Sequence, residues 1–208
     1  MKTIKYEVNG EIVEKKSKFL ADVFYVSSTQ EAEEKIEEVR KKYFDARHHC
    51  FAYRIYQDGK VIERASDDGE PSGTAGGPML NILTKNNLGN IVVIVTRYFG
   101  GILLGTGGLV KAYSQAMQVA LEKAEFVEEI HGYEVKVELE YNQLENFKYF
   151  CKQNTISIIK IEYEKIITLV IELSDKEIEN RILENDRIKS NIFEYQILEG
   201  KNIRKQRD

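Results

Sequence analysis

The chain is poor in proline, cysteine and histidine, carries no excess of positive charge and has no long apolar run. Its 2 cysteines, Cys50 and Cys151, lie about a hundred positions apart and form no set of spaced pairs, so a reducing compartment is expected and a disulfide is not. No apolar stretch approaches the roughly 20 residues that cross a bilayer, and Met1-Lys2-Thr3-Ile4-Lys5-Tyr6-Glu7 has no signal-peptide core. The expectation is a cytoplasmic protein without a membrane role. The formal net charge of -4 supplies no bulk field for a polyanion, so any nucleic-acid contact must come from a local patch.

What is present is an ordinary apolar fraction, 42%, over 208 residues, enough for a real core in one or two domains. Glycine is placed unevenly. Of the 14 glycines, 10 fall between Gly69 and Gly108, as do both prolines. All but Gly89 gather in two blocks, Ser66 to Pro78 and Thr96 to Gly108. Such clusters mark positive-φ turns or a backbone that something approaches closely.

Residues 1 to 125 balance 17 basic against 17 acidic residues, whereas 126 to 208 hold 2 glycines with 13 basic and 17 acidic residues. That shift predicts a boundary near Glu125, dividing 1–125 from 126–208. In the first part, Thr3 to Val8 and Ser17 to Val26 read as strands. Ser28 with Glu31 opens a capped helix to about Tyr43. His49 to Tyr56, Asp58-Gly59 and Val61 to Ser66 read as a hairpin. Pro78 to Asn86 suits a short helix, Ile91 to Val95 a strand buried on both faces, and Gly107 to Ala124 a second long helix. In the second part come a strand (Tyr133 to Leu139), a helix (Asn142 to Gln153), two strands (Ile156 to Tyr163 and Ile166 to Leu173), a helix capped by Ser174 with Glu177 and ending about Glu184, and a strand (Ile192 to Leu198). The order βαββαβ is the ferredoxin-like pattern, and the whole chain is classed as α+β.

The candidate site residues follow from the glycine blocks. Gly105-Thr106-Gly107-Gly108 opens a helix with Lys111 one turn in, which can hold an anion on unpaired backbone N–H groups or simply let a helix pack closely. Walker and dinucleotide spacings are both absent. Arg97 ends a buried strand and can grip phosphate or carboxylate, pair with an acid of the first block such as Asp67 or Asp68, or do both. Asp67, Asp68 and Glu70 either bind a metal and act as acid and base or shape a turn. In Arg47-His48-His49-Cys50, a strand puts His48 and Cys50 on one face and His49 on the other, so a zinc site or a His48-activated thiol competes with a buried small side chain. Cys151 reads as core. The tail Lys201 to Asp208 holds 4 basic residues in 8 and reads as a solvated terminus or an RNA contact.

The segment Gly76, Met79-Leu80, Leu83, Leu88, Ile94-Val95, Arg97-Tyr98-Phe99-Gly100-Gly101, Leu104, Gly105 resembles the signature of the IMPACT family of YigZ-like proteins. Asp45-Ala46-Arg47-His48-His49-Cys50 and Asp67-Asp68-Gly69-Glu70-Pro71 resemble its other constant segments, and the likeness spans the chain. It implies an N-terminal domain similar to the second domain of a small-subunit ribosomal protein and to the fourth domain of elongation factor G. It implies a C-terminal domain similar to that factor's fifth domain. Translation or RNA is the setting so implied; eukaryotic relatives bind a ribosome-associated activator of a starvation-responsive kinase. Some relatives have been labelled proline dipeptidases, a chemistry needing a ligand set that a chain with 3 histidines does not supply.

The leading expectation is therefore a non-enzymatic, translation-associated binding protein. It would contact RNA, the ribosome or a protein partner through Arg47, His48, Asp67, Asp68, Glu70, Arg97, Tyr98, Phe99, Gly100, Gly101, Gly105, Gly107 and Lys111, with no metal, cofactor or catalytic residue. The alternative is a small metal-dependent hydrolase or phosphate-processing enzyme using Asp67, Asp68 or Glu70 with Arg97.

Overall fold

The structure is a computed structural model and describes residues 1–57, 60–174 and 194–205. The chain is α+β and forms two compact units, Met1–Glu128 and Glu129–Lys205.

The first unit is built on strands β1 (Lys2–Ile4), β2 (Val8–Glu14), β3 (Ser17–Tyr25), β4 (His48–Gln57), β5 (Lys60–Ser66) and β6 (Ile91–Tyr98), with helices α1 (Thr29–Lys42), α2 (Gly76–Lys85) and α3 (Gly105–Leu121). One sheet runs β2-β3-β6-β4-β5, and every neighbouring pair in it is antiparallel. The continuous apolar run of β6 has the two-sided burial its composition demands. Ile91, Val93 and Val95 pack with α2 and α3, while Val92 and Ile94 pack against Ile36 and Val39 of α1. On β4, the face toward α2 and α3 carries the small Cys50 and Ala52 and the opposite face the large Phe51, Tyr53 and Ile55. Ser28 caps α1 as expected, its hydroxyl accepting from Glu31 N at 3.2 Å. The Glu31 carboxylate reaches one residue further back than a capping box requires, to Ser27 N at 2.7 Å.

The expected strand from Thr3 to Val8 is not one element: β1 stops at Ile4, and β2 begins at Val8 and hairpins into β3. Two local features hide β2 in the sequence. Its turn, Lys15-Lys16, takes φ of 45° and 66°, the conformation of a type I′ turn that Asn and Gly normally announce. Its Gly10 looks like a strand breaker, yet a Cβ there would stand 2.6 Å from Ala120 N, so the missing side chain is what lets α3 lie on the strand.

The second unit contains most of β7 (Phe126–Leu139), then α4 (Leu144–Gln153), β8 (Ser157–Tyr163), β9 (Ile167–Ser174) and β10 (Glu194–Lys205). Residues Phe126 to Glu128 of β7 pair with β1, whereas Gly132 to Leu139 pair with β9. The order β10-β7-β9-β8 is that of a ferredoxin-like sheet. Leu144, Phe147 and Cys151 of α4 cover its inner face against Val135, Val137, Leu169 and Ile171. The expected helix after Ser174 and the Asp58-Gly59 turn lie outside the described residues. The last strand does not end at Leu198 but passes Gly200 to Lys205, so Lys201, Arg204 and Lys205 belong to a strand rather than a loose tail. Pairing with β7, which the local pattern cannot reveal, accompanies that length. Among the described residues no helix is long and apolar enough to cross a membrane.

Candidate functional site

Sheet register gathers both glycine blocks at one end of the first unit. His48 lies opposite Arg97, Tyr98 opposite Lys18, and Glu14 opposite Ser17. The β2–β3 turn, the α1–β4 loop and the β6–α3 loop therefore meet at that end. The β5–α2 loop joins them, with Gly69 against the His48 ring.

The three carboxylates of the first block do not converge. Asp67 turns both oxygens on backbone N–H groups: Oδ1 accepts from Ala75 and Gly76 at 2.9 Å each, Oδ2 from Gly73 at 2.7 Å. Ala75 at the start of α2 has no cap of its own, so Asp67 supplies a remote one. Burial alone would raise its pKa, but these N–H groups outweigh burial and hold the carboxyl below the usual range. Asp68, at φ 42°, bridges elsewhere: to Arg40 Nη2 at 3.1 Å and His49 N at 2.7 Å, while His48 Nδ1 donates to its carbonyl at 2.9 Å. Glu70 turns inward to Arg97.

Arg97 pairs with neither Asp67 nor Asp68, both already engaged, but with Glu70. Its Nη1 stands 2.7 Å from Glu70 Oε1, and the two side chains are 6% and 4% exposed. Tyr113 of α3 donates to the same oxygen at 2.8 Å. Arg97 Nη2 lies 3.3 Å from Ser17 Oγ, which accepts from Gly100 N at 3.1 Å. The guanidinium sits between the Phe19 and Phe99 rings, 5.3 and 5.5 Å from their centroids. Such a pair, desolvated and stacked, ties β6, the first glycine loop and α3 together. It is not held open to a ligand.

Cys50 lies at the margin of this network. Its thiol donates to the Asp67 carbonyl at 2.9 Å, and burial pushes its pKa up to about 12 against the opposing hydrogen bond of Tyr113. Burial, then Cys50 and Glu70, raise the Tyr113 phenol as well. A thiol so placed is a small core side chain rather than a nucleophile. Cys151 is likewise buried. Among the described residues no three His, Cys, Asp or Glu side chains are grouped to hold a metal ion.

Above the buried network lies the exposed part. Tyr98 points to the other face from Arg97 and donates to Asp45 at 2.7 Å, which raises its pKa to about 12. Gly100 meets the hairpin: a Cβ there would overlap the Lys16 carbonyl. Gly101 and Gly105 take φ of 84° and 72°, and between them Ile102 and Leu103 are 42% and 82% exposed, with Phe99 at 53%. Gly107 faces open space, and Arg47 and Lys111 are solvent-exposed. Sequence reasoning missed Ser17, Arg40 and Tyr113 as members of the framework, because each acts across long chain separations. Ile102 and Leu103 carry no local signal that marks them as exposed, because whether a loop's apolar side chains are covered depends on tertiary packing.

Comparison with known proteins agrees with this architecture. Residues 15–121 match the Impact N-terminal domain, and residues 137–182 match a domain of unknown function, DUF1949. The IMPACT family member YvyE of Bacillus subtilis is 37% identical over 84% of this chain and 80% of its own. Escherichia coli YigZ is 39% identical over 76% of this chain and 78% of its own. The crystal structure of a hypothetical protein superposes on 95% of both chains at 33% identity with a TM-score of 0.63. The Arg97-to-Gly101 segment and the acids that brace it fall inside the first match, and the chain belongs to the IMPACT family.

Proposed function

We propose that this protein is a non-enzymatic binding protein of translation control, working in the cytoplasm and meeting RNA, the ribosome or a protein partner through the loop end of its N-terminal sheet. The observation that carries this reading is the disposition of the charged groups. The Glu70–Arg97 pair is closed and buried, and Asp67 is consumed by backbone N–H groups. The groups that a hydrolase would need are therefore invested in architecture: Glu70 and Arg97 tie the first glycine loop to β6 and α3, Asp67 caps α2, and the side chains left exposed are Phe99, Ile102 and Leu103 of the β6–α3 loop. The setting of translation is supported by what the family resemblance implies for its eukaryotic members.

The test is co-sedimentation of the purified full chain with ribosomes through a sucrose cushion at low and high salt. Salt-sensitive association, reduced by Leu103→Ala with the melting temperature unchanged, is expected. No association of the wild-type chain at low salt overturns the ribosomal form of the proposal. Metal-dependent phosphoester turnover abolished by Asp67→Ala would overturn the non-enzymatic reading.

A further inference from the structure

We infer that the groove between the β2–β3 turn and the first turns of α3 receives a short acidic, amphipathic segment of a partner protein. This rests on the binding role proposed above and names the chemistry of its ligand.

The exposed apolar side chains beside the groove are aliphatic. Leu103 is 82% and Ile102 42% exposed, both in the β6–α3 loop next to Leu104, which lines the cavity described below. Monomeric surfaces rarely leave such side chains together in water unless something covers them. Single-stranded RNA is held by flat rings on which bases stack. Here Phe99 is the one aromatic ring of the loop, and the Arg97 guanidinium already lies over it at 5.5 Å. Aliphatic exposure of this kind is matched by Leu, Ile or Phe side chains of a polypeptide.

Charge sets the second requirement. Lys15 of the β2–β3 turn lines one wall and Lys111 of α3 the other, and both are exposed, as is Lys16 beside Lys15. From Pro71 to Leu121 the sequence contains no aspartate or glutamate, although the chain as a whole has 34 acidic against 30 basic residues. Neither α2 nor α3 therefore carries a carboxylate of its own. The complement is a ligand with negative charge beside its apolar side chains.

Shape supplies the third. A cavity of about 90 Å³ opens between Lys15, Leu104, Gly108 and Lys111, with Glu14 as the one carboxylate on its lining. A Cβ on Gly108 would stand 3.0 Å from Leu104 Cβ, so glycine keeps the floor of this cavity open. It has room for the end of one apolar side chain, with a lysine on either side to meet flanking acids.

The test is selection of a random peptide display library on the immobilised full-length chain, followed by fluorescence anisotropy of the enriched, fluorescein-labelled peptides. Enriched sequences are expected to combine Leu, Ile or Phe with neighbouring Asp or Glu. Their Kd should rise with salt, by roughly tenfold in Leu103→Ser, and by about threefold to tenfold in Lys111→Glu. Both substituted side chains are exposed, so the melting temperature should stay within a degree or two of wild type. Enrichment of peptides without the acidic-apolar pairing, or binding indifferent to both variants, overturns the inference. So does a single-stranded RNA oligonucleotide that binds more tightly than any selected peptide and is lost in Leu103→Ser. The outcomes separate from those for the ribosome: selected peptides can bind the groove of a chain that never sediments with ribosomes, and a chain that sediments with ribosomes can fail to enrich acidic-apolar peptides.

Discussion

Glu70 Oε1 lies 2.7 Å from Arg97 Nη1 and 2.8 Å from the Tyr113 hydroxyl, so one carboxylate oxygen joins the first glycine loop to the central strand and to the helix after the second loop. With side chains 4% and 6% exposed, neither charge is solvated well enough to stand alone. Removing one partner of such a pair costs about 3–5 kcal/mol because the other charge is stranded. Arg97→Ala and Glu70→Ala should each lower stability by about that much in urea titration, and the double variant should lose far less than their sum. Additive losses would show that the two side chains act independently.

The two cysteines offer a check on burial. Desolvation pushes both thiols up to about 12, far above the pH at which a free cysteine becomes reactive thiolate. At pH 8 a chromogenic disulfide reagent should label neither at an appreciable rate in the folded chain and both in strong denaturant. Rapid labelling of the native protein, traced to Cys50, would contradict its placement beneath Tyr113.

Asp67 predicts a dependence on acid. Its folded pKa is lowered from 3.8, so its contribution to stability is fully present above that value and disappears as pH falls through the folded value, below about 4. Wild type should lose stability between pH 5 and pH 2 more steeply than Asp67→Asn. At pH 7 the variant should be weaker by about 1–3 kcal/mol, from donors left without a carboxylate. Parallel stability curves for the two proteins would refute the role given to this carboxyl.

Gly100 and Gly107 should behave in opposite ways although they belong to the same block. A side chain on Gly100 overlaps the Lys16 carbonyl, so Gly100→Ala should destabilise by about 1–3 kcal/mol. Gly107 is helical and faces open space, so Gly107→Ala should stabilise by about 0.5–1 kcal/mol through helix propensity. Thermal melts of both variants decide this, and equal effects of the same sign would mean that the loop packs differently.

The parts readable from the sequence are those where one side chain controls its own neighbourhood. Ser28 specifies the start of α1 because its hydroxyl bonds within the same turn. The β-branched run of β6 specifies a strand buried on both faces because no face of it carries a polar group until Thr96. The first half of the β2–β3 hairpin, β2, escaped because its turn takes positive φ at two lysines and because its Gly10 answers to Ala120, more than a hundred residues away. The partner of Arg97 escaped for the same reason. Three acids stood within reach by sequence separation, and spacing alone does not rank them.

By itself the sequence determined the α+β class, the position of the central strand, the capped first helix and the concentration of glycine around Arg97, since these depend on local propensity and on the period of apolar residues. Only the tertiary structure decided that Glu70 rather than Asp67 closes on Arg97, that Asp67 caps α2 from a distance, and that Leu103 stands in solvent. Each of those outcomes turns on which backbone N–H groups and charges are left uncompensated once the sheet and helices have packed, and that balance exists only in three dimensions.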